Sequence, residues 1–175
     1  DNSNTPKKKE VARYCYEDQD GNHLYDVVKF KPKAFRPQRP DGKWSLKGVE
    51  RVPYRLPELL QGVKDSKLIL LLEGEKDVDR AMAMGFVATT FFGGTGKWRD
   101  EYLEYFRGAN VVLIPDNDNP GLKGMAEITK KLHGTAARIR MLELPGLGPR
   151  QEKYGKDFSD WIELEGNTSD VLNDL

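Results

Sequence analysis

The sequence predicts an α/β protein in which helices flank a parallel β-sheet, preceded by a small basic region with a β-hairpin. Three observations support this fold class. From residue 67 onwards, short apolar runs of strand length alternate with amphipathic stretches of helix length. Two of these apolar runs end in carboxylates and turn-forming residues, as strands do at the carboxyl edge of a parallel sheet. Before residue 67 the chain is instead rich in basic residues and proline.

The start of the chain predicts a tail followed by a hairpin. Residues 1–10 are polar and begin without an initiator methionine, so we expect a disordered tail on a fragment of a longer chain. Alternating residues over 11–17 and 24–31 surround an Asp-Gly turn, which predicts a β-hairpin. The hairpin opens a basic N-terminal region that covers residues 11–66.

The remaining elements follow from proline content and apolar periodicity. Five prolines over 32–57 predict extended or looped chain, with a short strand at 44–46, and a short helix is expected over 56–63. We expect residues 67–175 to form a second domain. Its predicted elements are strands over 68–72, 86–90, 111–114 and 137–142 and helices over 76–84, 98–106, 121–132 and 158–163.

Composition limits the class of protein. The chain is 38% hydrophobic and 32% charged, which predicts a soluble protein. No apolar run approaches the roughly 20 residues that span a bilayer, so we expect no membrane partner. Cys15 is the only cysteine, which excludes an internal disulfide and a multi-cysteine zinc site within these residues. These features predict an intracellular, cytoplasmic location.

The net charge of zero conceals an uneven distribution. Residues 1–66 carry 14 Lys and Arg against 10 Asp and Glu, whereas residues 67–175 carry 14 against 18. A basic region beside an acidic domain suits a protein that binds a polyanion, although a solvated lysine-rich surface is the alternative. The residues expected to contact nucleic acid are Arg36, Arg39, Lys43, Trp44, Lys47, Arg51, Arg55 and Trp98.

Two acidic clusters follow predicted strands. Glu73 comes directly after the strand at 68–72, and Asp116 and Asp118 come after the strand at 111–114. Gathered at one sheet edge, these carboxylates would repel one another unless a divalent cation lay between them, and hard oxygen ligands suit Mg²⁺ or Mn²⁺. Alternate residues of an extended chain point the same way, so Asp116 and Asp118 can reach one pair of metal ions. The alternative is a turn that caps the next helix.

Three further acidic residues are candidates for the same metal site. Asp77 lies in the first turn of the helix at 76–84, where the helix dipole explains it equally well. Asp157 and Asp160 begin the last predicted helix, as metal ligands or as its cap and first turn. Glu75, beside Asp77, is expected to be exposed.

A glycine-rich loop, Gly-Gly-Thr-Gly-Lys, follows the second predicted strand. The backbone N–H groups of Gly94 and Gly96 and the side chain of Lys97 could bind phosphate, and Lys76 is assigned to the same nucleotide-binding set. The glycine spacing does not match a Walker A loop. Trp98 could stack on a base, or it could pack against its own helix beside a flexible loop.

The order Glu73-Gly, Asp116-x-Asp118 and Lys156-Asp157 resembles the TOPRIM domain of bacterial-type primases, topoisomerases, recombination-associated proteins and some nucleases. The local sequence over 67–165 is most similar to primases of phages and mobile elements. Residues 11–57 resemble the basic segment that precedes TOPRIM in those proteins. The resemblance implies a Rossmann-like core of about four parallel strands and Mg²⁺ binding by the acidic set.

The resemblance also carries residue assignments. By position, the family's acidic residues are Glu73, Asp77, Asp116, Asp118 and Asp157. Where many primases have a second acid two residues after Asp157, this chain has Ser159 and then Asp160, so the last metal ligand stays open between Asp157 and Asp160. The zinc ribbon with which such primases find a start site is absent from this sequence, so we expect the fragment to initiate poorly or not at all.

We therefore predict a primase catalytic fragment that uses Mg²⁺ or Mn²⁺, nucleoside triphosphates and a single-stranded DNA template, with a helicase domain or subunit as a further partner. Asp116 and Asp118 would hold the metal, and Glu73 would act as a ligand or as the general base. A TOPRIM nuclease and a catalytically silent nucleic-acid-binding module are the alternatives. A topoisomerase is disfavoured because it needs a nucleophilic tyrosine in a separate domain.

Overall fold

The computed structural model describes residues 8–174, which form two β-sheets and five α-helices. The first sheet is antiparallel and consists of β1 (Lys9–Glu17), β2 (His23–Lys31) and β3 (Ala34–Gln38), in that order. β1 and β2 confirm the predicted hairpin. Residues 1–7 of the predicted tail lie outside the described residues, and β1 begins inside the range assigned to that tail.

The proline-rich segment differs from its prediction. The sequence pattern does not predict β3, and the strand predicted at 44–46 is wrong, because that segment is a loop. β3 lies at the edge of its sheet and contains Pro37, which cannot donate a ladder hydrogen bond but is tolerated in an edge strand. In the loop, Leu46 is buried in the core while Trp44 stays exposed.

The second sheet is parallel and has four strands. These are β4 (Leu68–Leu71), β5 (Val87–Thr89), β6 (Asn110–Leu113) and β7 (Arg138–Met141), in the order β5-β4-β6-β7. The central strands β4 and β6 are largely buried, because apolar side chains cover both of their faces. The predicted α/β class with about four parallel strands is confirmed.

The α-helices are α1 (Leu56–Lys64), α2 (Glu75–Ala83), α3 (Asn119–Leu132), α4 (Phe158–Ile162) and α5 (Ser169–Asp174). Within the segment predicted as a helix over 98–106, Asp100–Phe106 instead forms 3₁₀ turns, and a separate 3₁₀ turn at Thr95–Lys97 precedes the segment. Extended backbone at Trp98 and Arg99 separates the two turns. The sequence pattern does not predict α5. Across residues 8–174, every helix is too short or too polar to cross a membrane.

An aromatic cluster joins the first sheet to the parallel sheet. The Tyr16 ring stacks on Tyr25 at 4.7 Å and lies 5.1 Å from the Tyr54 ring. The Tyr54 backbone N–H donates to the Thr90 carbonyl at 2.7 Å, and the Thr89 hydroxyl donates to the Tyr54 carbonyl at 2.7 Å. The segment before α1 is therefore held against the end of β5, which places the first sheet beside the carboxyl edge of the parallel sheet.

Candidate active site at the edge of the parallel sheet

A cavity of about 350 Å³ opens between the carboxyl edge of the parallel sheet and the first sheet. Five carboxylates line it: Glu73, Glu75, Asp77, Asp116 and Asp157. Basic and aromatic side chains line it as well: Lys29, Lys33, Lys76, Tyr14, Phe35, Phe91 and Phe92. The fold thus brings four of the six predicted metal ligands to one cavity, opposite two lysines of the first sheet region.

Glu73 ties together the ends of the adjacent strands β4 and β6. Its Oε1 accepts a hydrogen bond from the Asp116 backbone N–H at 2.9 Å. Gly121, at the start of α3, packs directly against this contact. A Cβ at position 121 would overlap Glu73 Oε1 and would lie 3.0 Å from the Asp116 carbonyl oxygen. The Glu73 carboxylate can occupy this position because the first turn of α3 has a glycine at residue 121.

Several carboxylates lie close together in the cavity, which disfavours their charged forms. Burial raises the pKa of Asp116 to about 8, with further contributions from the charges of Glu73 and Asp77. Burial also raises the pKa of Glu73, although the hydrogen bond from the Asp116 N–H opposes this. A divalent cation would neutralise this repulsion, and carboxylate oxygens are the donors that Mg²⁺ and Mn²⁺ prefer. The donor set present therefore fits the expected metal.

Asp118 has different surroundings from Asp116. It caps α3: Oδ1 accepts the Gly121 N–H at 2.8 Å, and Oδ2 accepts the Gly155 N–H at 2.9 Å. The carboxylate is 7% exposed and lies outside the residues that line the cavity. The capping alternative thus describes the observed geometry. A ligand role for Asp118 stays a prediction that would use the second lone pair of one of these oxygens.

Asp157 and Asp160 cap α4 reciprocally. Asp157 Oδ1 accepts the Asp160 N–H and Asp160 Oδ2 accepts the Asp157 N–H, both at 2.8 Å. Lys76 donates to Asp157 Oδ2 at 2.9 Å. Burial raises the pKa of Asp157, but the hydrogen bonds from Lys76 and from the Asp160 backbone lower it overall. Asp157 lines the cavity and Asp160 does not, which makes Asp157 the better placed last ligand.

Ser159 is a site residue that sequence reasoning did not select. It is buried, and its backbone N–H donates to Asp77 Oδ1 at 3.0 Å. Its hydroxyl donates to the same oxygen. Burial raises the pKa of Asp77, and the Ser159 hydroxyl opposes that rise. The sequence did mark this position, because Ser159 stands where the resemblance leads one to expect an acid.

Two acidic residues of α2, Glu75 and Asp79, accept hydrogen bonds from tyrosines of the N-terminal region. Glu75 is 7% exposed and accepts a hydrogen bond from the Tyr16 hydroxyl at 2.9 Å. Asp79 accepts a hydrogen bond from the Tyr54 hydroxyl at 3.0 Å. The expectation of an exposed Glu75 is wrong because its partner lies 59 residues away in sequence and only the tertiary fold brings them together.

Some of the predicted nucleic-acid contacts lie exposed beside the first sheet. The Arg36 guanidinium lies 4.7 Å from the centre of the Trp44 ring, and both side chains are exposed. Arg39 and Lys43 both pair with Asp41, at 3.1 Å and 3.4 Å. These four residues are placed where a polyanion could reach them.

Arg55 and Trp98 are held by the protein itself. Arg55 pairs with Asp79 at 2.8 Å. The Trp98 ring packs edge-on against Phe91 at 5.4 Å and against Tyr102 at 5.7 Å. This packing matches the alternative in which Trp98 has a structural role, and base stacking by Trp98 stays a prediction.

The other predicted contact residues are dispersed. Gly94 lines the cavity, whereas Gly96 and Lys97 lie in the exposed 3₁₀ turn outside it. Lys47 is exposed and Arg51 is half-buried. Phosphate binding by the glycine-rich loop therefore stays a prediction, with Gly94 its best placed member.

This arrangement, an antiparallel sheet packed beside the carboxyl edge of a parallel sheet, matches the fold of solved bacterial and phage primase fragments. The primase fragment of the bacteriophage T7 primase-helicase protein matches with a TM-score of 0.64 and 22% identity, over 93% of this chain and 61% of its own. A DNA primase domain from Pseudomonas aeruginosa matches with a TM-score of 0.68 and 23% identity, over 99% and 54%. The DnaG primase catalytic domain bound to single-stranded DNA matches with a TM-score of 0.66 and 20% identity, over 94% and 51%.

These similarities confirm the resemblance to a primase TOPRIM region at the level of the fold. No protein-family model matches the chain, and no curated protein matches its sequence. The chain spans between 51% and 61% of the length of these three solved structures.

Proposed function

We propose that the chain is a primase catalytic fragment that joins nucleoside triphosphates into primers on single-stranded DNA. The observation that carries the proposal is the cavity at the sheet edge, where five carboxylates and the lysines Lys29 and Lys33 line a space of about 350 Å³. That volume lies within the range of small-molecule sites. The similarity in fold to solved primase fragments supports the same activity.

The acidic side of the cavity would hold the metal through Glu73, Asp77, Asp116 and Asp157. When bound, Mg²⁺ supplies Lewis-acid chemistry that favours ionisation of the attacking 3′-hydroxyl and stabilises the leaving pyrophosphate. Glu73 uses one oxygen on the Asp116 N–H, which leaves the other for the cation or for a proton. Ser159 holds the Asp77 carboxylate at the cavity wall.

The opposite side of the cavity would bind the nucleotide. Lys29 and Lys33 carry the positive charge that a triphosphate needs, and they approach from the first sheet region. Phe35 is 38% exposed and offers an aromatic surface at the same rim. Both lysines belong to the basic N-terminal region, but the sequence pattern did not select them, since only the packing of the two sheets places them here.

A nucleotide-incorporation assay tests the proposal. Labelled nucleoside triphosphates are supplied with single-stranded DNA and Mg²⁺, and nicking of plasmid DNA is followed in parallel. We expect Asp116→Asn to lower incorporation by about 100-fold or more, as loss of a preorganised transition-state contact does. Lys33→Met should mainly raise the KM for nucleotide, whereas Lys64→Met, an exposed lysine outside the cavity, should leave KM unchanged. Nicking without incorporation would instead indicate a nuclease, and neither activity would indicate a binding module.

Template binding forms part of the same proposal. Exposed Arg36 and Trp44 and the neighbouring Arg39 and Lys43 would contact single-stranded DNA, mostly through its phosphates. With roughly four to six phosphate contacts, log affinity should fall with log salt concentration with a slope of about −3 to −4. Changing Arg36, Arg39 and Lys43 together to Glu should flatten that slope. Equal slopes for the parent and the variant would mean that another surface of the protein binds the template.

The proposal also includes a cytoplasmic location and a helicase partner, of which the partner can be tested directly. One similar structure is the primase fragment of a primase-helicase protein, and another shows primase domains with an RNA/DNA hybrid and a lagging-strand DNA polymerase. We therefore propose a helicase domain or subunit as the partner of this chain, to be tested by co-purification with the full-length protein.

A further inference from the structure

The first sheet carries a group of metal-ligating side chains that the proposed primase chemistry does not use. Cys15 of β1 lies directly across from Asp26 of β2 in the antiparallel pairing. His23, at the start of β2, completes the group, and one ligand atom from each residue lies within 4.8 Å of the other two. Cys15 and His23 are exposed, and none of the three lines the cavity at the sheet edge.

A β-bulge brings His23 to this group. Side chains alternate along a strand, so in a regular β2 His23 would point with Tyr25 towards the core, away from Asp26. The pairing is irregular between Tyr16 and Glu17, where one residue of β2 is left out of register. The extra residue turns His23 to the outer face, and bulges commonly redirect a side chain in this way. His23 Nε2 lies 3.0 Å from Asp26 Oδ1 as a result.

Arg13 supplies a supporting contact. Its guanidinium donates to Asp26 Oδ2 at 2.8 Å, which holds the carboxylate and leaves Oδ1 directed at His23. Metal-binding carboxylates are usually held by such an outer hydrogen bond. Burial raises the pKa of the Cys15 thiol, and the nearby carboxylates of Glu17 and Asp26 raise it further.

We infer that Cys15, His23 and Asp26 form a binding site for a zinc-like divalent transition metal ion, separate from the carboxylate cavity. A thiolate, an imidazole and one carboxylate suit Zn²⁺ or Co²⁺ far better than Mg²⁺, and three protein ligands leave a fourth tetrahedral position for water. Ligand atoms around a tetrahedral Zn²⁺ lie about 3.5 Å apart, so the group must contract by about 1 Å. The two exposed side chains can make this change by rotation.

Metal binding releases protons from the ligands to solvent. The Cys15 thiol releases its proton to solvent as the sulfur binds the metal, because the thiolate is the ligand. Without the metal, His23 Nε2 donates its proton to the hydrogen bond with Asp26 Oδ1. On binding, Nε2 releases that proton to solvent and takes the metal, and the single proton of the bound ring lies on Nδ1. The metal replaces the contact between His23 and Asp26 Oδ1, while Arg13 keeps its hydrogen bond to Oδ2. Neither oxidation nor a co-reactant is needed.

Because Cys15 is the only cysteine, a thiol reagent reports directly on this site. In the folded chain, Zn²⁺ should slow the reaction of Cys15 with a disulfide reagent, whereas Mg²⁺ should not. Co²⁺ should give a thiolate-to-metal absorption band that is lost in Cys15→Ser and in His23→Gln. Arg13→Met should weaken Co²⁺ binding roughly 10- to 100-fold, as loss of a supporting partner does.

Two controls make the inference falsifiable. Glu17→Gln removes a neighbouring carboxylate that is not a ligand and should retain the Co²⁺ band. Asp116→Asn changes the other candidate metal site and should retain it as well. An unchanged band in His23→Gln would overturn the inference, as would equal protection of Cys15 by Mg²⁺ and Zn²⁺. Far-ultraviolet circular dichroism of each variant establishes that a lost band is not lost folding.

Discussion

Asp116→Asn should stabilise the metal-free protein, and increasingly so as the pH rises. Asp116 has an ordinary pKa of 3.8, and in the folded protein burial and the neighbouring carboxylates raise the pKa to about 8. Folding therefore takes up a proton between about pH 4 and pH 8, and the free energy of unfolding falls as the pH rises through this window. Asparagine has nearly the same shape but does not ionise, so the free energy of unfolding of the variant does not fall in this way.

The size of the effect follows from the same two pKa values. At pH 7 the unfolded carboxyl group is about three pH units above its pKa, and each unit corresponds to about 1.4 kcal/mol. The upper limit at pH 7 is thus about 4 kcal/mol. Relaxation of the site and water entry reduce such values, so we expect a gain of about 2 kcal/mol at pH 7. Below pH 4 the parent and the variant should have equal stability.

Urea unfolding in the presence of a chelator, at several pH values, measures this difference. Glu165→Gln, which neutralises an exposed carboxylate far from the cavity, serves as the matched control and should leave the pH dependence unchanged. Adding Mg²⁺ should stabilise the parent by mass action and the Asp116→Asn protein much less. If the parent and the variant show the same dependence of unfolding free energy on pH, the pKa of Asp116 is not raised in the folded protein. If both gain equally from Mg²⁺, the metal binds elsewhere.

Two further substitutions test the packing that supports the site. Gly121→Ala places a methyl group against Glu73 Oε1, so we expect a loss of about 1–3 kcal/mol in urea unfolding together with reduced Mg²⁺ binding. Tyr16→Phe removes the hydrogen bond to buried Glu75, and an unpaired buried acceptor costs about 1–3 kcal/mol, measured in the same way at pH 7.

The controls for these two substitutions come from the same chain. Gly96→Ala adds a methyl group in open space, so it should cause no loss of stability. Tyr154→Phe removes a hydroxyl from a side chain that is 88% exposed and should change stability by less than about 0.5 kcal/mol. If Gly96→Ala destabilised as much as Gly121→Ala, close packing against Glu73 would not be the cause. A neutral Tyr16→Phe would mean that Glu75 finds another donor.

The parallel sheet was predictable because its physical causes are local. Strand-length apolar runs, each followed by a helical pattern, leave few alternatives to a parallel sheet, and β4 and β6 lie within one residue of their predicted ends. The carboxyl-edge rule then places Glu73 and Asp116 together, and they are joined by a hydrogen bond. The local pattern also predicted that Asp118 and Asp157 could cap the helices that follow them, as an alternative to metal binding.

The other features depend on contacts between distant residues. Lys29 and Lys33 reach the cavity only because the first sheet packs beside the parallel sheet. Glu75 is buried only because Tyr16 lies over it. β3 was not predicted because it contains Pro37. Proline disfavours a central strand, and the sequence does not show which strand lies at the edge of the sheet. Each of these facts depends on which surfaces meet, and a pattern read along one segment does not contain that information.

Helix α2 connects the two halves of the proposed active site. Its Glu75 and Asp79 receive hydrogen bonds from tyrosines of the N-terminal region, and its Asp77 receives them from Ser159 at the start of α4. A shift of the first sheet would therefore move the same helix that presents Asp77 and Lys76 to the cavity. The N-terminal region is thus a structural part of the proposed active site, because one nine-residue helix contacts its tyrosines and also carries Glu75, Lys76 and Asp77 of the cavity.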